Sequence, residues 1–188
     1  MNWTIPGTAL QSPRTQAPFL REQLEAMFLG GGMVLSQVTA VTGLETHTIQ
    51  NWVKRGFLSP PVQKRYCLNQ FCRIATINAL KGVLPMERIC GLLRYINGTL
   101  DSEADDLISD TELYIQFVLL ASRVRELMDE QDRDKILEQA LQSYQEPAPG
   151  AKDRVKNVRR VMLTAWLASR MCQEAEDMIN NLEKENEL

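Results

Sequence analysis

The chain holds one histidine, His47, in 188 residues. A two-histidine metal site and a paired-histidine acid–base device are therefore excluded. The four cysteines, Cys67, Cys72, Cys90 and Cys172, contain no Cys-x-x-Cys pair and no close-spaced framework. A disulfide scaffold is not expected, and Cys72, Cys90 and Cys172 read as small apolar filling in a reduced compartment. No apolar run approaches the ~20 residues that a membrane helix needs. The N-terminal stretch lacks a basic segment followed by an apolar one, so no secretory signal is expected. There is no Gly-x-x-x-x-Gly-Lys-Ser/Thr loop, no Gly-x-Ser-x-Gly elbow and no Gly-x-Gly-x-x-Gly turn. Gly30-Gly31-Gly32 is followed by no lysine. These gaps point to a cytoplasmic non-enzyme with no cofactor, no metal and no membrane partner.

Charge is unevenly spread. The net charge is −3. Residues 44–95 hold eight basic groups (Lys54, Arg55, Lys64, Arg65, Arg73, Lys81, Arg88, Arg94) against Glu45 and Glu87. Residues 96–188 hold eleven basic groups against twenty acids. The acidic whole-chain pI, near 5.3, therefore hides a basic segment. Phosphate binding depends on such a local patch, not on the total.

The basic segment coincides with a recognisable order of parts. Leu35, Val38 and Val41 or Thr42 recur at helical spacing, with Ser36 as the expected N-cap. Gly43 suits a helix end, and Leu44 plugs the corner. A second helix is expected from Glu45 or Thr46, with Ile49 and Val53 or Trp52 facing inward. Lys54 and Arg55 suit its C-terminus, and Gly56 ends it. Two short helices joined by a glycine turn are a device for placing one helix in a DNA groove. Beyond them a hairpin wing is expected to run from Phe57-Leu58 through a turn at Ser59-Pro60-Pro61 to Tyr66-Cys67-Leu68, and to carry Lys64 and Arg65 toward phosphates. A third helix buries Phe71, Ile74, Ile77 and Leu80. A fourth follows Pro85 and carries Ile89, Leu92, Leu93 and Ile96.

This order resembles the MerR-type winged-helix domain. The residues that carry the resemblance are Gly43-Leu44, Thr48-Ile49-Gln50-Asn51-Trp52, Gly56-Phe57-Leu58-Ser59-Pro60, Arg65-Tyr66 and Ile89. The chain is more similar still to an uncharacterised bacterial family with a MerR-like helix-turn-helix. Asn51, Val53, Lys54, Pro60, Pro61, Lys64, Arg65 and Tyr66 fit its pattern. The resemblance implies a DNA-binding fold. It departs at Gln50, where MerR-type recognition helices carry arginine.

Before the motif, residues 1–18 hold Pro6, Pro13 and Pro18 with no periodicity and read as a flexible tail. A short helix is expected over residues 19–29. After Gly98, the acids Asp101, Glu103, Asp105, Asp106, Asp110 and Glu112 read as a solvated turn and helix start, without calcium-loop spacing. Leu113, Phe117, Leu120, Val124 and Leu127 mark a helix, and Ile136, Leu137, Ala140, Leu141 and Tyr144 another. Glu146–Gly150 is a linker. Val158, Val161, Ala165, Ala168, Cys172, Ala175, Ile179 and Leu182 then alternate spacings of three and four, a heptad seam. Either it packs within the chain or it joins two copies.

The expected architecture is all-α with a small two-stranded wing. Residues 1–18 form the tail, 19–98 the winged-helix part and 99–188 a helical dimerisation or sensing region. The expected function is a sequence-specific, homodimeric transcriptional regulator bound to double-stranded DNA, with the effector left open. His47, Thr48, Gln50, Asn51, Lys54 and Arg55 are the candidate contacts on the recognition helix, and Lys64 and Arg65 on the wing. Asn and Gln suit adenine, while Lys and Arg suit guanine or phosphate. The rival reading is a protein-interaction adaptor that keeps the fold without binding DNA.

Overall fold

A computed structural model describes residues 2–100, 105–123 and 130–186. It is mostly helical, with two small two-stranded sheets. The expected acids Asp101 and Glu103, and Val124 and Leu127 of the expected long helix, lie outside the described residues. Among the described residues, no helix is long and apolar enough to cross a membrane.

The first departure from expectation is at the N-terminus. Strands β1 (Asn2–Thr4) and β2 (Gln11–Pro13) pair antiparallel, and a 3-10 helix (Arg14–Phe19) leads into α1 (Leu20–Phe28). This is not a flexible tail. Trp3 and Ile5 belong to the core. The Trp3 ring meets Trp166 edge-on at 6.3 Å, and the Arg14 guanidinium lies 4.7 Å from its centroid. The turn of the hairpin passes so close to the next layer that a Cβ on Gly7 would fall 1.9 Å from the Ala75 carbonyl oxygen, and φ at Gly7 is +75°. Prolines break helices without preventing a tight hairpin, and two buried apolar side chains are enough to anchor this one.

Helix α2 (Leu35–Thr42) ends at Gly43, whose φ of 69° is left-handed, as a glycine C-cap allows. Its N-cap is Val34, not Ser36. The Gln37 side chain accepts from the Val34 amide at 3.0 Å, so the helix begins two residues earlier than the hydroxyl suggested. Helix α3 (Thr46–Lys54) buries Ile49 and Trp52, while Val53 is half-buried.

The wing also differs. Strand β4 (Arg65–Tyr66) pairs with β3 (Met33–Val34), which lies before α2, not with Phe57-Leu58. The tight turn is Gln63-Lys64, with φ of 49° and 61°, closed by the Arg65 amide donating to the Val62 carbonyl at 2.9 Å. Two prolines without N–H groups cannot join a ladder, so pairing starts only after Pro61.

Helix α4 (Leu68–Leu80) is the centre of the molecule. Phe71, Ile74, Ile77 and Leu80 are fully buried, and its neighbours include α1, α2, α5 (Met86–Asn97), α6 (Asp110–Ser122) and α8 (Ala151–Asn186). Helix α7 (Glu130–Gln139) packs on α8. One cluster of buried apolar residues runs from Trp3 to Leu167 and takes side chains from both sides of residue 98. The acidic stretch is not wholly solvated, because Asp110 is buried at the start of α6.

Candidate nucleic-acid interface

Helix α3 presents its polar side outward. His47, Gln50, Asn51, Lys54 and Arg55 are exposed and Thr48 is half-buried. Lys64 and Arg65 are exposed on the turn and strand beside it. A groove of about 500 Å³ separates the two pieces, and Gln50, Val53, Lys64, Tyr66, Leu35 and Ser36 contribute to its lining. The fold thus brings Gln50 of the helix and Lys64 of the turn to one concavity. Asn51 is about 100° further round the helix by the helical step and does not line it.

The cations differ in what they already touch. Arg55 pairs with Glu87 at 2.7 Å and lies over the Phe57 ring at 4.5 Å. The backbone amide of Glu87, followed by the Arg55 side chain, holds the Glu87 carboxyl below its ordinary range. Arg65 donates to the Gly32 carbonyl at 2.8 Å. Lys54 and Lys64 are exposed, and neither makes an ion pair among the described residues. They are the cations with most freedom to meet a phosphate.

Behind this face lies a set of polar braces that sequence reasoning missed. Gln70 donates to the Ser59 carbonyl, the Ser59 hydroxyl and the Pro60 carbonyl at 2.9–3.1 Å. Arg73 donates from Nε to the Phe57 carbonyl at 3.1 Å and from Nη1 to Asp110 at 3.1 and 3.3 Å. Asn97 reaches the same carboxylate. The segment that leaves α3 is therefore tied through α4 to the start of α6. Asn78 donates to Thr42 at the end of α2 and to Gly7 of the N-terminal turn. Only Gln70 had a sequence signal, a glutamine three residues after a helix start.

The seam of α8 divides. Val158 and Ala165 are buried within the chain, and Ala168 is half-buried. Val161, Cys172, Ala175, Ile179 and Leu182 are exposed. The inner half of the helix instead buries Val155, Met162, Leu163 and Trp166, so its core face is not the strict heptad seam.

Residues 32–117 match the model of a family described as a domain of unknown function (DUF1836). A relative in Bacillus subtilis (strain 168), the uncharacterized protein YkrK, is 28% identical over 116 residues, which are 60% of this chain and 48% of the relative. The chain thus spans about half the length of the curated relative it matches. No solved structure matches the chain.

Proposed function

We propose that this protein is a sequence-specific DNA-binding regulator of transcription. In this reading α2, its glycine turn and α3 form a MerR-like helix-turn-helix, and β3, β4 and the Gln63-Lys64 turn form the wing. The observation that supports it is the meeting of Gln50 and Lys64 at one exposed groove, with Lys54 beside it. Helix α3 enters the major groove, where Gln50 reads a base edge, while Lys54 and Lys64 meet phosphates. Arg55 and Arg65 stiffen the two elements, since each is engaged within the chain. One such helix covers one half-site, so the regulator acts as a homodimer on paired half-sites.

The test is a binding titration of a random-sequence duplex across a salt series. Affinity should fall steeply with salt, and Lys54→Ala with Lys64→Ala should reduce the log–log slope by about 2, since each phosphate contact contributes about 0.9. Absence of binding at low salt, or an unchanged slope in the double variant, would remove this reading. The adaptor reading gains from one observation, the apolar residues Leu35, Val53 and Tyr66 in the lining of the same groove. Phosphates make no use of them.

A further inference from the structure

Among the described residues, α8 is exposed at every position from Met171 to Lys184. Met171, Met178, Ile179 and Leu182 are 62%, 58%, 54% and 59% exposed. A free helical stretch of this length is marginal in water by itself, and its apolar side chains gain nothing there. At 100° per residue, Met171, Cys172, Ala175, Met178, Ile179 and Leu182 share a stripe about 120° wide. That is broader than the seam of a two-stranded coiled coil and has the width of a face that enters a concave surface. Acids edge the stripe on both sides, with Glu174 along one margin and Glu176 and Glu183 along the other. Residues 170–184 hold four acids against Arg170 and Lys184. Two such stripes laid together set acid beside acid, an arrangement that like-charge repulsion opposes.

The groove between α3 and the Gln63-Lys64 turn has the opposite character. Val53, Leu35 and Tyr66 give it apolar lining, Lys64 stands in its wall and Lys54 lies on the adjoining turn of α3. We infer that the exposed half of α8 from one copy of this chain docks into this groove of a second copy. The apolar stripe then meets the apolar lining and the flanking acids meet the lysines, the mode of an amphipathic helix in a groove. The occupant is another copy because α8 runs unbroken from Ala151 to Asn186 and its inner half is packed against α4, α5, α6 and α7. Its outer half cannot fold back onto its own groove. Reciprocal exchange closes as a two-fold dimer. The contact does not rest on the DNA reading; where both hold, helix and DNA compete for one surface, so this exchanged dimer is the DNA-free form and not the homodimer that spans paired half-sites.

Sedimentation equilibrium of the full chain without DNA tests this, with circular dichroism to verify folding. Wild type should dimerise, and Met171→Asp with Leu182→Asp should raise the dimer dissociation constant at least tenfold. Lys54→Glu with Lys64→Glu, changed only at exposed groove positions, should do the same. Mixing the two variants should restore a dimer, since one intact groove then meets one intact stripe. A groove variant that dimerises like wild type would overturn the proposal in favour of stripe-to-stripe pairing. A monomeric wild type, or a stripe variant that still dimerises, would overturn it outright. None of these readouts involves nucleic acid, so failure of DNA binding leaves the outcome legible.

Discussion

Arg73 and Arg159 are both buried guanidinium groups, and they differ in what they meet. Arg73 faces the Asp110 carboxylate and the Phe57 carbonyl. Arg159 is 1% exposed, and its Nη1 reaches the Ala140 carbonyl at 3.4 Å while its Nε has no hydrogen-bond partner among the described residues. Burial lowers the Arg159 pKa to about 10, against the opposing pull of Glu112 and Tyr144. Removing one partner of a buried pair strands the other charge, whereas removing a poorly satisfied one relieves desolvation. Arg73→Met should therefore destabilise by about 3–5 kcal/mol. Arg159→Met should leave the thermal midpoint unchanged or raise it. Denaturant unfolding of both variants checks the contrast, and equal losses would contradict it.

At the scale of the element, the Gln63-Lys64 turn carries strain that the proposed phosphate contact of Lys64 would explain. Both residues sit at left-handed φ, which costs about 1–2 kcal/mol for a side chain with a Cβ. Asn-Gly is the pair that such a two-residue turn favours. Gln63→Asn with Lys64→Gly should raise the unfolding midpoint by several degrees in a calorimetric scan. On the proposed DNA-binding reading, the same change should reduce the salt slope by about 1, one phosphate contact fewer. A turn kept strained for the lysine it displays would show both effects. Gain of stability with no change in slope would mean that Lys64 touches no phosphate.

For the whole molecule, the N-terminal hairpin decides how the parts hold together. It touches the end of α2 through the Ala9 amide and the Val41 carbonyl, α6 through Pro6 and the Tyr114 hydroxyl, and α8 through Trp3. Residues far apart in sequence thus share one support. Trp3→Ala should destabilise by roughly 3–5 kcal/mol, the range for a buried aromatic. A tail outside the core would show less than about 0.5 kcal/mol. Chemical unfolding followed by far-ultraviolet circular dichroism distinguishes the two.

Much was legible in the order of residues because it rests on local rules. Helical spacing of Phe71, Ile74, Ile77 and Leu80, glycine at positions 43 and 56, and Pro85 ahead of α5 each act within a turn or two of chain. The exposed candidates His47, Gln50, Asn51 and Lys54 follow from the same rules, since a polar face opposite Ile49 and Trp52 has nowhere to point but outward. What the sequence could not decide depends on partners distant along it. Strand β4 chose Met33–Val34 over Phe57-Leu58, and Trp3 found Trp166. Arg73 bridged Phe57 and Asp110, and Val158 and Leu182, alike in the heptad pattern, were sorted into core and surface. Periodicity states that a face is apolar, but only the packed chain states what covers it, because burial is a property of neighbours brought together by the fold.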